Sequence, residues 1–528
     1  MRTTGPEIKQ PDSAFFKLAR TGRFEALLKR LDDQFLVEGT GSKVEKRSYY
    51  DTFDWRLYRR KLILYRCGSR LILQSTRGRR IASVAGRKRS RYFWWDIPVG
   101  ELQNQLRDCI DMRALSPVIS TLSMVDLFRV MNDERKTVAR IGLQQLVRDD
   151  GDEHNPLETI VVEEIRGYDT SFRNIVQHCL DLGLRKVGRH SETTRILKRS
   201  GRVPGGYGGK FDIALERTIS IGDAVSIICL HLLADMERNL EGIVADIDSE
   251  FLHDFRIAVR RTRSLIDLFK KILPATVTGH FENEFKWLGT VTGPVRDIDV
   301  YLLTKNDYLN MLPPTLRPGL QLFFDELREK RIEELKRLHS HLRSPRYQSL
   351  VEDWRRFLND KEGRLYNGQL LGSCKTCADA MIVKRCRKYI RSGNAITDAS
   401  TDEKIHRLRI QGKKFRYLLE FFKSFYDESN MTVIVKQMKM LQNNLGEFND
   451  LSVQLRLLNG RLDLLRGRSL KTIRLAAALG GLITVLDAKK MQVRNQFAST
   501  YEQVSSTPIE AMLSDMVWAD ARSDGADR

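Results

Sequence analysis

The sequence has no apolar run long enough to cross a membrane. Its longest, LAAALGGLITVL at 475–486, falls short of the roughly 20 residues that a membrane-spanning helix needs. The N-terminal residues also lack the apolar stretch that follows the basic residues of a secretory signal. These two absences predict a cytoplasmic protein without a transmembrane segment, in which residues 475–486 form a core helix.

Cysteine is scarce and scattered. Seven cysteines occur in 528 residues, and the only close pair is Cys374 with Cys377. A structural zinc site built on such a pair needs a second pair, which the sequence does not contain. We therefore expect buried or idle thiols in a reducing compartment, and no metal site at this pair.

Acidic residues are too few to balance the basic ones. The 89 lysines and arginines against 68 aspartates and glutamates give a formal net charge of +21. This positive potential attracts polyanions, so nucleic acid, an anionic membrane surface and polyphosphate all remain as partners. Hydrophobic residues make up 41% of the chain, which is enough to bury a sizeable core. A length of 528 residues predicts two or three domains.

Two regions differ in their apolar patterning. From about 45 to 165, short alternating runs such as KLILYR are bounded by glycine or polar clusters, which is typical of strands. Helical spacing flanks these runs, so we expect an α+β domain over 1–198 that is rich in antiparallel strands. The glycine-rich segment 199–212 predicts a linker. Long amphipathic windows over 213–515 predict an all-α helical bundle, and 516–528 a flexible tail.

The predicted helical domain contains an internal repeat. Placing 405–422 under 252–269 aligns a histidine and four basic residues at an offset of 153, and the same offset aligns 285–302 with 438–455. The aligned pairs are His253 with His406, Arg256 with Arg409, Arg260 with Lys413, Arg261 with Lys414, Arg263 with Arg416, Lys286 with Lys439 and Asp297 with Asp450. Because two separate segments agree on one offset without gaps, we infer a tandem duplication.

Within each copy the cations lie on one side of the predicted helix. At 100° per residue they fall within about 80° of one another, and apolar residues occupy the other side. The first basic stripe comprises His253, Arg256, Arg260 and Arg263, and the second comprises His406, Arg409, Lys413 and Arg416. We expect these cations to find no acidic partner four residues along the helix, so that an anion must compensate them. If the duplication places the stripes face to face, a linear polyanion fits between them; a solvated helix surface is the alternative interpretation.

The motifs of this region resemble those of the CHAD family, the conserved histidine α-helical domain. They are HDFRIAVRRTR with LGTVTGPVRDIDV in the first copy, SPRYQSLVEDW at 344–354, and HRLRIQGKKFRYLLE with LGEFNDL in the second copy. The resemblance covers about 215 to 515. It implies a bundle of two pseudo-symmetric helical halves that binds inorganic polyphosphate through a basic central pore and catalyses no reaction.

The resemblance also assigns residues to the pore. Those that would bind polyphosphate are His253, Arg256, Arg260, Arg263, Lys286, His406, Arg409, Lys413, Arg416 and Lys439. Secondary candidates, some of them from KRCRKYIR at 384–391, are Arg261, Lys414, Lys384, Arg387, Lys388 and Arg391. Asp297 and Asp450 would repel a phosphate, so we expect them to orient the basic residues instead.

The first domain resembles the triphosphate-tunnel (CYTH) family over roughly 10 to 200. The similar segments are YYDTFDWRLYRRKLILYR at 49–66, VVEEIRGYD at 161–169 and HSETTR at 190–195. Members of that family hydrolyse triphosphate with glutamates that hold a divalent metal and with inward basic side chains. This chain departs from the pattern: SAFFK (13–17) lacks both carboxylates of the first strand, RYFWW (91–95) replaces a region with two glutamates, and Glu192 replaces a lysine.

These departures predict a tunnel without catalysis. Glu164 is retained among the usual acids, and magnesium has little to bind without several carboxylates. The basic side chains that would still make the tunnel positive are Lys17, Arg56, Arg91, Arg129 and Arg195.

We therefore expect a polyphosphate-binding protein of the cytoplasm, located on polyphosphate granules, with no catalytic residue and no resident cofactor. One alternative is a metal-dependent triphosphatase or polyphosphatase that uses magnesium. The other is a nucleic-acid-binding protein, although the basic stripes carry few of the aromatic residues that stack on single-stranded bases.

Overall fold

The chain divides into two compact units, Met1–Gly209 and Lys210–Arg528. The computed structural model describes residues 13–18, 22–76, 79–149, 157–188, 194–195, 197–198, 201, 203–208, 211–360, 372–397 and 399–505. Glu192, the predicted tail at 516–528 and parts of the predicted linker at 199–212 lie outside these residues, so the predicted domain boundaries stay predictions. We number the described strands and helices in chain order.

The N-terminal unit is built on one sheet of nine described strands. They are β1 (Ser13–Lys17), β2 (Leu36–Asp51), β3 (Leu62–Cys67), β4 (Arg70–Ser75), β5 (Arg80–Ala85), β6 (Ser116–Met131), β7 (Thr137–Arg148), β8 (Leu157–Glu164) and β9 (Arg185–Val187). Their order is β5-β4-β3-β2-β6-β7-β8-β1-β9, and neighbouring strands run antiparallel. This confirms the predicted antiparallel α+β domain, and the sheet is compatible with a tunnel-like fold.

The sheet is buried on both sides near its centre. The helices of this unit whose bounds the structure describes are α1 (Gly22–Asp32), α2 (Arg56–Arg59), α3 (Glu101–Ile110) and α4 (Asp169–Asp181). α1 and α4 pack on one side, against residues such as Phe16 and Ile160. Since successive residues of a strand point to opposite sides, Thr159 faces the other side, where it is buried together with Ser123. Leu197 packs on that second side and helps to cover it.

The C-terminal unit is helical. Its described helices are α5 (Ile221–Val244), α6 (Ser249–Leu268), α7 (Ala275–Val291), α8 (Gly293–Leu303), α9 (Lys305–Met311), α10 (Arg317–Leu342), α11 (Pro345–Asn359), α12 (Cys374–Asn394), α13 (Asp402–Phe422), α14 (Glu428–Asp463) and α15 (Leu470–Ser505). Apart from one bridge between Ser220 and Ser373, the regular structure described in this unit is helical. The predicted all-α domain is confirmed.

Capping side chains set where several of these helices begin. Ser220, Asp248, Ser344, Ser373 and Asp427 each accept a hydrogen bond from a backbone N–H in the first turn of the helix that follows. The first-turn N–H groups of a helix have no partner within the helix, so serine and aspartate are favoured there. These residues therefore define the starts of α5, α6, α11, α12 and α14.

No helix in the described part of the chain is long and apolar enough to cross a membrane. Residues 475–486 lie within α15, where Leu475, Leu479, Leu482 and Leu486 are buried. Their spacing of three to four residues places them on one side of the helix. The predicted core helix is therefore confirmed.

The offset of 153 relates the helices of the two copies, with one difference. It places α6 on α13, and it places α7 and α8 together on the single helix α14. The first copy is interrupted at Thr292, because Pro294 has no backbone N–H and favours the start of a new helix. The residue of α14 that is equivalent to Pro294 is Glu447, and the helix continues through it.

Reciprocal ion pairs join α6 to α13. Arg261 of α6 contacts Glu420 of α13 at 2.8 Å, and Lys414 of α13 contacts Asp267 of α6 at 2.8 Å. The offset makes Arg261 equivalent to Lys414, and Asp267 equivalent to Glu420. The two ion pairs are therefore one contact repeated about a pseudo-twofold axis.

An aromatic pair lies at the same interface. Phe269 and Phe422 are equivalent by the offset, and both rings are fully buried. Their centroids are 6.2 Å apart and their planes meet at 80°, which is a favourable edge-to-face arrangement. The two copies thus share apolar contacts as well as ion pairs.

Replacing Phe269 by alanine is expected to lower the free energy of unfolding by about 3–5 kcal/mol, the usual cost of deleting a buried aromatic ring. Phe422→Ala should cost a similar amount, and the double variant less than the sum, because each change removes the same ring contact. Urea unfolding followed by circular dichroism measures these values. The exposed Ile410→Ala serves as control, with a change below about 0.5 kcal/mol. Equal losses for Ile410→Ala and Phe269→Ala would contradict the account.

Candidate functional site

The first basic stripe runs along α6, opposite its buried side. The apolar side of α6 packs into the core through residues such as Phe255 and Val259. His253, Arg256 and Arg260 are half-buried on the other side. Arg263, the last cation of the stripe, is exposed. The angular separation predicted from the spacing is therefore present in the structure.

Arg256 is fixed by the end of α7. Its Nη1 donates hydrogen bonds to the carbonyl oxygen of Gly289, at 3.0 Å, and to Oγ1 of Thr292, at 2.9 Å. Burial lowers the pKa of Arg256, and the carboxylate of Asp297 opposes this effect while Arg260 adds to it. The charge of Asp297 therefore favours the charged form of its arginine, and the orienting role expected from the sequence stays a prediction.

Arg263 lies against the same end of α7. A Cβ added at Gly289 would come within 3.1 Å of Nη1 of Arg263. Lys286 lies three residues before Gly289, about one turn away on the same side of the helix, and it is exposed. The structure therefore places Lys286 beside the outer end of the first stripe.

The second stripe runs along α13. His406 is exposed, and its Nδ1 lies 2.6 Å from Oδ1 of Asn449 in α14. Nη2 of Arg409 lies 3.8 Å from Oδ1 of Asp450, also in α14. Burial lowers the pKa of Arg409, and Asp450 opposes the shift. Because Asp297 and Asp450 are equivalent by the offset, each copy supplies one carboxylate near its central arginine.

Lys439, one of the predicted pore residues, is exposed on α14.

The two stripes meet at Arg260. Its positive charge lowers the pKa of both Arg409 and Lys413, which belong to the other copy. The pKa of Lys413 falls to about 7, chiefly through burial and further through repulsion from Arg260, Arg409 and Arg416, while Asp450 opposes the shift. The fold therefore brings cations of both copies into one half-buried cluster.

Arg416 departs from the expected pattern. Its Nη1 lies 3.3 Å from Oε1 of Glu420, four residues along the same helix. The expectation that the stripe cations lack such acidic partners is wrong at this position. The spacing of Arg416 and Glu420 in the sequence is the signal that predicts the pair. Arg416 is consequently more neutralised than Lys413 or Arg409.

The secondary candidates Arg261 and Lys414 lie at the interface between the copies. Each is bonded at 2.8 Å to a carboxylate of the other copy, Glu420 or Asp267. Arg261 also lies over the ring of Tyr417, with its Cζ 5.7 Å from the ring centroid. These contacts give both residues a role in joining α6 to α13.

The candidates on α12 lie away from its buried side. Lys384, Arg387, Lys388 and Arg391 are exposed. Arg385, which the sequence reasoning missed, lies 3.8 Å from Asp267, and burial lowers its pKa. Arg385 follows the buried Ile382 by three residues and precedes the buried Tyr389 by four, so helical periodicity could have placed it near the packed side.

The basic candidates of the N-terminal unit have separate environments. Arg56 contacts Asp54 at 2.8 Å and donates to the carbonyl oxygen of Ile110 at 2.7 Å, so it stabilises a turn. Arg129 contacts the exposed Glu38 at 2.9 Å. The remaining candidates are Lys17, which is exposed, and Arg91 and Arg195, which are half-buried.

Glu164 lies on the side of the sheet that α1 and α4 cover. It comes two residues after Val162 and four after Ile160 along β8, so its side chain lies on the same side of the sheet as these two core residues. Thr159 lies on the opposite side. Among the described residues, no group of three or more histidine, cysteine, aspartate or glutamate side chains is placed to hold a metal ion. Arg47, on β2 of the same sheet, was missed by the sequence reasoning; it is half-buried and contacts Glu45 at 2.6 Å.

A cavity of about 520 Å³ opens at the histidine end of the second stripe. It lies between α13, α14 and α15, and is lined by His406, Asn449 and Lys490 among others. A second cavity, of about 490 Å³, is lined in part by Asp450. Space that solvent or a ligand can enter is thus present beside two of the residues that position the stripe.

Replacing Lys413 by methionine is expected to stabilise the protein, because it removes a half-buried cation that its neighbours repel. The pKa of Lys413 is about 7 in the folded chain and near 10.5 in the unfolded chain, so the charge destabilises the fold fully below pH 7 and progressively less as the pH approaches 10.5. Melting temperatures of both forms between pH 6 and 10 measure the effect. The gain should shrink as the pH rises; a loss of stability at pH 6 would contradict the cluster.

Comparison with known proteins identifies the helical domain. Residues 228–459 match the family model of the CHAD domain. The crystal structure of the CHAD domain from the plant Ricinus communis is 24% identical, covers 58% of this chain and 96% of that chain, and has a TM-score of 0.46. PptA from Streptomyces chartreusis is 13% identical, with 54% of this chain and 100% of that chain covered and a TM-score of 0.43. No curated protein matches the chain. Residues 228–459 of the helical unit are therefore a CHAD domain, as the sequence motifs predicted.

Proposed function

We propose that the helical unit binds inorganic polyphosphate between its two basic stripes. The observation that carries the proposal is the cluster of Arg260 with Arg409 and Lys413, in which cations of both copies repel one another in a half-buried place. Such a cluster destabilises the free protein, and a bound polyanion removes that penalty. A repeating anion suits the site because the cations themselves repeat along each helix.

The chemistry of the stripes suits phosphates. Arginine offers several N–H donors to phosphate oxygens, and lysine adds a point charge. Each stripe extends about 15 Å at 1.5 Å per residue, which accommodates several consecutive phosphates. Arg256 and Arg409 are held in place by hydrogen bonds or by a nearby carboxylate, so little side-chain entropy is lost when they bind.

The CHAD assignment supports the same ligand, since the family resemblance implies polyphosphate binding. Association with polyphosphate granules follows from the proposal in cells that make them. The proposal assigns no hydrolysis to the N-terminal unit. Glu164 lies on the side of the sheet that α1 and α4 cover, and the carboxylates expected on the first strand are absent from SAFFK.

Replacing Arg256, Arg260, Arg409 and Lys413 by alanine together is expected to weaken polyphosphate binding about a thousandfold or more, because four charge-assisted contacts are lost. Fluorescence anisotropy with labelled long-chain polyphosphate measures the affinity. The matched control replaces four exposed cations that lie outside the stripes. Lys336 lies in α10, Arg343 directly follows α10, and Lys471 and Arg474 lie in α15; each is replaced by alanine.

The control should change the affinity only slightly, since it removes the same number of basic residues outside the stripes. Equal losses in the two variants would show that net charge, rather than the stripes, governs binding. Competition with DNA, RNA and pyrophosphate at equal phosphate tests selectivity. Displacement by nucleic acid as effective as by unlabelled polyphosphate would contradict a polyphosphate site.

Polyphosphate affinity is expected to fall as the pH rises from about 7.5 to 9.5. A bound polyanion raises the pKa of Lys413 from about 7, so binding takes up a proton wherever the free protein holds Lys413 neutral. In Lys413→Arg the dependence should disappear, because arginine stays charged throughout. An unchanged pH dependence in Lys413→Arg would assign the effect to another group.

A further inference from the structure

A second concentration of positive charge lies in the N-terminal unit, outside the CHAD domain. From Trp55 to Trp95 the sequence contains 13 basic residues and no aspartate or glutamate. They are Arg56, Arg59, Arg60, Lys61, Arg66, Arg70, Arg77, Arg79, Arg80, Arg87, Lys88, Arg89 and Arg91. This segment alone accounts for more than half of the net charge of +21. Its predominance of arginine distinguishes it from a surface selected only for solubility.

Four exposed cations of this segment flank the edge strand β5. Arg79 and Arg80 lie at its start, and Arg87 and Lys88 follow its end. All four are exposed, and within the described residues none of them forms an ion pair. β5 is the last strand on its side of the sheet, and its six residues span about 17 Å at 3.3 Å per residue. Among the described strands, none pairs with the outer edge of β5, so the cations border an edge of the described sheet.

An aromatic platform adjoins the end of β5. The rings of Phe93 and Trp95 are stacked, with centroids 4.6 Å apart and planes within 5°. Trp95 is 45% exposed, although tryptophan is usually well covered. The carboxylate of Asp96 accepts a hydrogen bond from the backbone N–H of Phe93 at 2.9 Å and fixes the turn that presents the rings.

Buried Tyr92 ties the platform to the basic loop. Its hydroxyl accepts a hydrogen bond from the backbone N–H of Arg89, at 3.1 Å, and donates one to the carbonyl oxygen of Arg87, at 3.0 Å. Nη1 of Arg66 also donates to this hydroxyl, at 3.3 Å. The hydrogen bonds of Tyr92 therefore connect the backbone of the basic loop to the residue that directly precedes the stacked rings.

We propose that Arg79, Arg80, Arg87, Lys88 and Trp95 form a binding surface for single-stranded nucleic acid. Proteins that bind single strands combine cations along the backbone with aromatic rings on which bases stack. Polyphosphate has no planar group to stack on Trp95. An anionic membrane would need a wider apolar surface, because Trp95 and Val99 are the exposed large apolar residues among residues 79–110. The surface differs from the stripes of the CHAD domain, and the proposal does not depend on polyphosphate binding.

The test measures the anisotropy of labelled oligouridine with the full-length protein and with Trp95→Ala. Loss of one stacked base is expected to weaken binding about tenfold. Trp95→Phe keeps an aromatic ring and should restore most of the affinity, which separates stacking from misfolding. In Arg87→Ala/Lys88→Ala, the slope of log affinity against log salt should fall by about 1.4, since each phosphate contact contributes about 0.7 on a single strand.

Polyphosphate and anionic phospholipid vesicles serve as the other probes. Polyphosphate affinity should be unchanged in Trp95→Ala, and the fourfold alanine variant of the stripes should keep its oligouridine affinity. Oligouridine binding that is insensitive to Trp95→Ala, or that is lost with the stripes, would overturn the proposal. It would equally be overturned if vesicles bound in a Trp95-dependent manner while oligouridine did not bind.

Discussion

The helical unit depends on holding two positively charged helix faces next to each other. α6 and α13 repel at the stripes, where Arg260 of one copy acts on Arg409 and Lys413 of the other. They attract at the reciprocal pairs of Arg261 and Lys414 with carboxylates of the opposite copy. Buried aromatic contacts add to this attraction. The contacts that join the two helices therefore lie on different faces from the stripes that we propose to bind polyphosphate, and the repulsion persists because the neighbouring contacts compensate it.

The two copies are equivalent in position but differ in chemistry. The first copy carries Arg260 where the second carries Lys413, and burial lowers the pKa of Lys413 to about 7. The second copy also holds Arg416 against Glu420 and His406 against Asn449. After duplication, one copy has thus kept a permanent charge at the centre of the cluster, and the other has a charge that responds to pH.

Much of this site follows from periodicity and from the repeat. The spacing of the cations predicts one helix face, and the offset predicts that both copies share it. Tertiary partners do not follow from spacing. Arg385 contacts Asp267 from a third helix, and Arg56 donates to the carbonyl oxygen of Ile110, at the end of α3. The side of β8 on which Glu164 lies depends on strand register, which packing against α1 and α4 determines. The reciprocal pairs were nevertheless visible, because Asp267 and Glu420 obey the same offset as Arg261 and Lys414.

The central claim is that both copies contribute to a single anion site. Isothermal titration calorimetry with polyphosphate of one defined length tests it most directly, using the protein, Arg260→Ala, Lys413→Ala and the double variant. The account predicts one binding site per chain, weakened by either substitution, with a non-additive loss in the double variant because the two cations contact the same ligand. Two independent classes of site, each sensitive to a substitution in only one copy, would contradict it.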